Sequence, residues 1–308
     1  MISFELNAEK RIIGGKEYSI PCLIDGLPNE SYHGDKSSIS ASWLKECKSS
    51  MFHFASAPSK PQKSTPALVF GSMVHHYLQE RDTFEEFYCV FKKENLPFPD
   101  STMSKKENAD YYKTLLESGK MIVSEDDWNN LLSVTGNVIR DEYVTKFIQK
   151  GNIESSIFFN DPATGLPLKV RPDNHFFAKS RFGEGIWVLD IKTIEDASPS
   201  SVAKAVTNFS YEVQAAMQVD GLETFYNKTV VMYIYLFIEK KFPYSYGLYS
   251  LDLSNDLDIG RMRYKKYLMD IKSCMESGVW PSYAKDKGSA DNPMGIIDIK
   301  LPPWFYTD

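Results

Sequence analysis

The sequence is short of cysteine, of long apolar runs and of surplus positive charge, and each shortage removes a class of protein. Its 308 residues hold four cysteines, Cys22, Cys47, Cys89 and Cys274, widely spaced and without a CxxC pair. That spacing offers no zinc ligand set and no disulfide framework, and predicts reduced thiols in a cytoplasmic protein. No stretch approaches the roughly 18 apolar residues of a membrane span. The best candidate, Val230 to Ile238, has the length of a strand. The opening MISFELNAEKRIIGG has early acidic residues and no apolar h-region, unlike a secretory signal. No internal repeat is visible. The formal net charge is −6, which argues against a protein that coats nucleic acid electrostatically, since backbone binding needs clustered Lys and Arg. It leaves room for an enzyme with a local basic groove, because a carboxylate-rich site is itself acidic until a cation binds.

Aromatic residues, by contrast, reach 14% and are mostly Tyr and Phe, which predicts an aromatic-rich core with some Tyr left for surfaces. Residues 1–36 are broken by Gly14, Gly15, Pro21, Gly26, Pro28 and Gly34 and read as β-rich or irregular. Residues 40–54 read as a short helix, with Ser40 or Ser42 as N-cap, and 56–66 as a Pro/Ser/Lys loop. A helix is expected over 66–93, where Val69, Met73, His76 and Tyr77 fall at helical spacing. Two more are expected over 109–118 and 125–150, the second opened by Glu125, Asp126 and Asp127, which suit a helix N-terminus. The texture changes at Gly151. Strands are expected over 153–160, 168–178 and 186–193, then a helix over 199–226, strands over 229–239 and 245–253, and a helix over 256–276.

The expected architecture is α/β, a single domain over 1–308. It comprises a mostly helical N-terminal portion (1–150), a β-β-β-α-β-β core (151–254), and a C-terminal helix and tail (255–308). Antiparallel neighbours followed by a crossover helix give a mixed central β-sheet flanked by helices.

The chemistry concentrates in the core. Arg171-Pro172-Asp173 lies on one expected strand and Asp190-Ile191-Lys192 on the next. A hairpin between them can bring the two aspartates side by side, and Asp190 and Lys192, two positions apart, project from the same strand face. Asp190 stands in the apolar run Trp187-Val188-Leu189 and Ile191, where a charge is costly unless paired or metal-bound. Two carboxylates and a lysine on one face suit phosphodiester hydrolysis. Carboxylates are hard ligands for Mg²⁺ or Mn²⁺, such a metal polarises phosphate and lowers the pKa of a bound water, and the lysine orients the nucleophile or offsets developing charge.

VRPD followed by WVLDIKT resembles the signature of the PD-(D/E)XK nuclease superfamily. Gly71 and His75 in GSMVHHYLQE resemble the GxxxHxxLE motif of its RecB-like branch, although Gln79 stands where that motif has glutamate. The spacing from Gly71 favours His75 over its neighbour His76. Tyr211 and Gln214 match a Y-x-x-Q-x-x-x-Y segment on the crossover helix, with Gln218 in place of the last tyrosine. In layout, residues 37–250 are most similar to the exonuclease VIII (RecE-type) family of phage and prophage recombination nucleases. The resemblance implies a restriction-endonuclease-like core and a 5′-to-3′ exonuclease acting on linear double-stranded DNA. It also implies a ring-shaped homo-oligomer and a partner annealing protein that receives the 3′ strand. His75, Asp173, Asp190 and the Ile191 carbonyl would hold metal and Glu154 would support a bound water. Lys192 would position the nucleophile, and Tyr211 and Gln214 would orient DNA. Arg171 and Lys169, flanking the site strand, are the expected DNA-holding cations.

Basic residues elsewhere (Lys240, Lys241, Arg261, Arg263, Lys265, Lys266) read as solvated charge before phosphate contacts. Trp304, Phe305 and Tyr306 fit either the core or a neighbouring subunit. Two rival readings stand. One is a structure-specific or Cas4-like nuclease, which the scattered cysteines disfavour because the Cas4-like group carries an iron–sulfur cluster. The other is a catalytically silent DNA-binding module on the same fold.

Overall fold

The computed structural model describes residues 2–60, 65–181, 183–284, 287–302 and 305. Part of the expected 56–66 loop, and Trp304 and Tyr306, therefore lie outside the described residues. The N-terminal segment folds as a hairpin of β1 (Lys10–Ile13) and β2 (Lys16–Ser19), a strand β3 (Cys22–Ile24) and a short helix α1 (Asn29–Gly34). Strand β4 (Ile39–Ser40) leads into α2 (Ala41–Leu44), a 3-10 turn at Lys45–Lys48, and α3 (Met51–Ser56). The helix expected over 40–54 is thus broken. Ser40 accepts the N–H of Trp43 and Ser50 accepts that of His53, so each serine starts its own short helix.

Helix α4 (Pro66–Gln79) begins at Thr65, whose hydroxyl accepts the Leu68 N–H, with Pro66 in the first turn. It ends well before residue 93. After a single turn, α5 (Phe84–Phe87), the aromatic and β-branched stretch Tyr88–Phe91 forms β5 and pairs in parallel with β6 (Met121–Ser124), which follows α6 (Lys106–Glu117). The helix expected over 125–150 is two helices, α7 (Glu125–Arg140) and α8 (Glu142–Ile148). The Asp141 carboxylate accepts the N–H groups of Tyr143 and Val144, capping the second at the expense of continuing the first.

Strands β7 (Asn152–Ile153), β8 (Ser156–Asn160), β9 (Pro167–Val170), β10 (Asn174–Ser180) and β11 (Gly183–Ile194) follow. Then come α9 (Pro199–Asn208), α10 (Tyr211–Tyr226), β12 (Val230–Glu239), β13 (Tyr246–Ser250) and α11 (Asp256–Ser277). The helix expected over 199–226 is interrupted by Ser210, which takes a left-handed conformation at φ 52. Two expected strands are cut for one shared reason: the chain leaves one sheet and enters another. A five-stranded sheet runs β13-β12-β11-β10-β7, and a four-stranded sheet runs β3-β8-β9-β4. Glu154, at φ 46, sits where the chain passes from β7 to β8. Pro172-Asp173 sits where it passes from β9 to β10. The Glu154 N–H donates to the Asp173 carbonyl at 3.1 Å, so the two crossings are tied together.

The mixed α/β architecture expected from the element order is observed. Strand β11 pairs antiparallel with β10 and parallel with β12, the α9–α10 crossover supplying the parallel connection. The five-stranded sheet is covered on both faces. Leu189, Ile191, Leu236 and Ile238 pack with Met73, Val74 and Tyr77 of α4 and with Leu131, Val134 and Val138 of α7. Val188, Tyr233, Tyr235 and Phe237 pack with Val213, Ala216 and Met217 of α10 and with Tyr264, Leu268 and Ile271 of α11. The aromatic core predicted from composition lies mostly on this second face. Period-two alternation puts Asp190 and Lys192 on the face of Val188, toward α10.

Candidate active site

The site forms where the two sheets meet. Asp190 lies in the middle of β11, fully buried at 0% exposure. Its Oδ1 accepts the side-chain amide of Gln214 from α10 at 2.9 Å, and its Oδ2 is ion-paired with Lys192 Nζ. Lys192 Nζ also donates to the Ile191 carbonyl at 3.3 Å. Asp173, just ahead of β10, accepts the backbone N–H of Ile191 on Oδ2 at 2.6 Å. His75, on α4, places Nδ1 3.4 Å from that same Oδ2. His76 turns away: its Nε2 lies 3.1 Å from the Thr83 hydroxyl, and its ring packs on Phe84, Phe87 and Tyr88. The structure thus brings His75, Asp173, Asp190, Ile191, Lys192 and Gln214 together from α4, β11, α10 and the β9–β10 crossing. Glu154 and Tyr211 line the same cleft of about 700 Å³.

Electrostatics bear the mark of crowded carboxylates. Burial, chiefly, pushes the Asp190 carboxyl up from its ordinary range; Asp173 adds repulsion and Lys192 opposes it. Glu154 is also pushed up, first by burial and then by Asp173. Burial works against the charged form of Lys192, but Asp190 and Asp173 outweigh it and hold its pKa above the usual value.

The donor set suits a hard divalent cation: carboxylate oxygens, a carbonyl and an imidazole. Among the described residues no three His, Cys, Asp or Glu side chains converge on one point. The donors stand instead as two pairs, His75 with Asp173 and Asp190 with the Ile191 carbonyl, and the Lys192 ammonium bridges the second pair. The residues fit a cation by chemistry and by the crowding of Asp190 and Glu154 around Asp173, which a cation would relieve.

Two expected DNA-holding cations have other partners. Lys169 is buried, donates to the carbonyls of Tyr32 and Asp35 at 2.5 and 2.6 Å, and lies 3.4 Å from the Asp35 carboxylate. Arg171 donates to the Ser156 hydroxyl (2.8 Å), the Asn29 amide oxygen (2.5 Å) and the Leu27 carbonyl (2.8 Å), and stacks over Tyr32. Both border the cleft, and these bonds fasten the N-terminal segment to β9. The signal was unreadable in the sequence because their N-terminal partners lie more than 100 positions away.

Gln218, the departure from the tyrosine-bearing segment, is buried, donates to the Arg171 carbonyl at 3.3 Å and accepts from the Tyr233 hydroxyl. Gln79, in the place of the motif's glutamate, donates to the Asp173 carbonyl at 2.9 Å. Of the other basic residues, Lys240 and Lys241 pair with Glu195, Arg261 with Asp220 and Asp258, Arg263 with Glu212, Lys265 with Asp161 and Asp220, and Lys266 with Asp270. One site neighbour escaped the sequence reading altogether: Lys45, whose Nζ lies 3.4 Å from Gln214 Oε1.

No helix among the described residues is long and apolar enough to cross a membrane. No curated protein matches the sequence. A crystal structure described as "Putative exonuclease" from Eubacterium rectale superposes with a TM-score of 0.58, covering 90% of this chain and 95% of that one. At 14% identity it shows a shared fold. A family profile described as a PDDEXK-like domain of unknown function (DUF3799) matches residues 40–290, a span that takes in α4, both sheet crossings, β11 and α10. The chain belongs to this PDDEXK-like family.

Proposed function

We propose that the protein is a divalent-metal-dependent DNA exonuclease, an exodeoxyribonuclease that hydrolyses phosphodiester bonds from the ends of linear duplexes. The observation that carries this reading is the convergence of Asp173, Asp190 and Lys192 at a sheet junction, with His75 and Gln214 in contact. Mg²⁺ is the expected ion, with Mn²⁺ as a substitute, held by His75, Asp173, Asp190 and the Ile191 carbonyl; when bound it supplies Lewis-acid polarisation of the phosphodiester. Around it the chain's own groups act. Gln214 fixes the orientation of the Asp190 carboxylate. Lys192 carries a positive charge toward the phosphate oxygens. Glu154, its carboxyl pushed up by burial and Asp173, can take or hold a proton of the attacking water. Tyr211 offers an aromatic wall to the bound strand.

The resemblance to the RecE-type group supports the finer reading: 5′-to-3′ polarity, 3′ single strands released for recombination, a homo-oligomeric ring, a single-strand annealing partner and a cytoplasmic setting. The test is digestion of linear duplex labelled separately at the 5′ and 3′ ends, with Mg²⁺, with EDTA, and with Lys192→Ala protein. Early release of 5′ label, lost with EDTA and in the variant, is the expected result. Cleavage confined to nicked or branched DNA would point to a structure-specific enzyme. Absence of cleavage on every substrate would point to a silent binding module.

A further inference from the structure

Lys45 stands behind two residues that line the cleft, Tyr211 and Gln214. It lies on the 3-10 turn between α2 and α3, half-buried, in a segment from which no site residue was expected. Its Nζ is 5.2 Å from the centroid of the Tyr211 ring, and Lys192 Nζ is 5.3 Å from the same ring. Lys192, Lys169 and Lys240 are each paired with a carboxylate within 4.0 Å. Among the described residues Lys45 has no such partner; its polar contact is the neutral Gln214 Oε1 at 3.4 Å. Burial and the nearby Lys192 ammonium push its pKa down to about 8. Asp190 and Glu212 act in the opposite sense, but Asp190 is already paired with Lys192 and Glu212 with Arg263, so the half-buried Lys45 ammonium keeps positive charge that an anion would offset.

We propose that Lys45 is a phosphate-binding residue at the margin of this cleft, its ammonium reaching a phosphodiester of the bound strand beside Tyr211. The proposal rests on the nuclease reading and adds a contact to it, distinct from Arg171 and Lys169, whose bonds here go to the N-terminal segment. Gln214 joins the contact to the reacting centre: its Oε1 faces Lys45 while its amide donates to Asp190. A strand held by Lys45 is thereby held at a fixed distance from Asp190.

The test is equilibrium binding of a short linear duplex to wild type, Lys45→Gln, Lys45→Met and Lys45→Arg across a series of salt concentrations. Ca²⁺ is supplied in place of Mg²⁺, and Mn²⁺ binding to each DNA-free protein is measured by calorimetry. Losing one phosphate contact should lower the slope of log Kd against log salt by about 0.9 in Lys45→Gln and Lys45→Met. Lys45→Arg should retain the wild-type slope, and Mn²⁺ affinity should be unchanged throughout. An unchanged slope overturns the proposal, and an unchanged slope with weakened Mn²⁺ binding would assign Lys45 to positioning Gln214 instead. Using two neutral variants keeps the test decisive if one folds poorly. Wild-type protein that cleaves DNA, with variants whose slope is unmoved, sinks this proposal alone. Wild-type protein that neither binds nor cleaves DNA sinks the nuclease reading.

Discussion

Asp173 accepts the backbone N–H of Ile191 at 2.6 Å, and so fixes the start of β10 against the centre of β11. The contact spends one carboxylate oxygen on alignment. It sets Asp173 beside the strand that carries Asp190 and Lys192 on its α10 face, while Ile191 points into the core against α4 and α7. Side chains from both faces of the five-stranded sheet thus meet at one sheet junction.

Asp190→Asn keeps shape but removes the buried charge. Cleavage should fall at least about a hundredfold and Mn²⁺ binding should weaken in calorimetry. Lys192→Met should abolish cleavage to a similar degree yet leave Mn²⁺ affinity equal or tighter, because the ammonium contacts both Asp190 Oδ2 and the Ile191 carbonyl. Each single change leaves a buried charge without its partner, at a cost of about 3–5 kcal/mol. The double variant should therefore melt above either single one. Weaker Mn²⁺ binding in Lys192→Met would contradict this arrangement.

Arg171→Met should behave as a stability variant. It strips donors from Ser156, Asn29 and the Leu27 carbonyl, costing about 2–4 kcal/mol in urea unfolding. The salt dependence of DNA binding should not move. A slope reduced by about one would establish Arg171 as a DNA contact.

Gly260 marks the closest approach of α11 to α10. A Cβ there would stand 2.2 Å from the Glu212 carbonyl oxygen, a backbone atom that yields only if the helices part. Gly260→Ala should destabilise by about 1–3 kcal/mol, and the shift of α10 should reduce cleavage through Gln214. Thermal unfolding and the cleavage rate read the two effects separately.

Asp161 predicts an acid limb in stability. Burial pushes its carboxyl up, but hydrogen bonds from Lys265 and Thr164 outweigh it and hold the pKa below its ordinary 3.8. A depressed carboxylate contributes stability that is present above the unfolded value and lost as pH falls through the folded one. Asp161→Asn should therefore be less stable than wild type at pH 7, and the gap should close below about pH 4. A gap independent of pH would show that shape, not charge, decides the effect.

Much of the site could be read before any coordinates. The Asp190–Lys192 spacing required one strand face, and the Gly71–His75 spacing singled out His75 over His76. Element types were mostly legible as well, because hydrophobic period and capping residues are local signals. Boundaries were not. Asp141 as a cap, Ser210 at positive φ and the pairing of the aromatic β5 with β6 each broke a longer helical pattern. Lys45 went unnoticed because nothing within its own segment distinguishes it from a surface lysine.

The sequence by itself determined which residues share a strand face, where an acid stands in an apolar run, and that an α/β fold with a crossover helix would form. These follow from periodicity and from the cost of burying charge, which neighbours in the chain already express. Tertiary structure alone decided that Glu154 and Asp173 mark paired crossings between two sheets, that Lys169 and Arg171 fasten the N-terminal segment, and that Gln218 is a buried tie. Each of those roles depends on partners more than ten positions away, and a side chain's role as binder, catalyst or strut is set by what the fold places within about 3 Å of it.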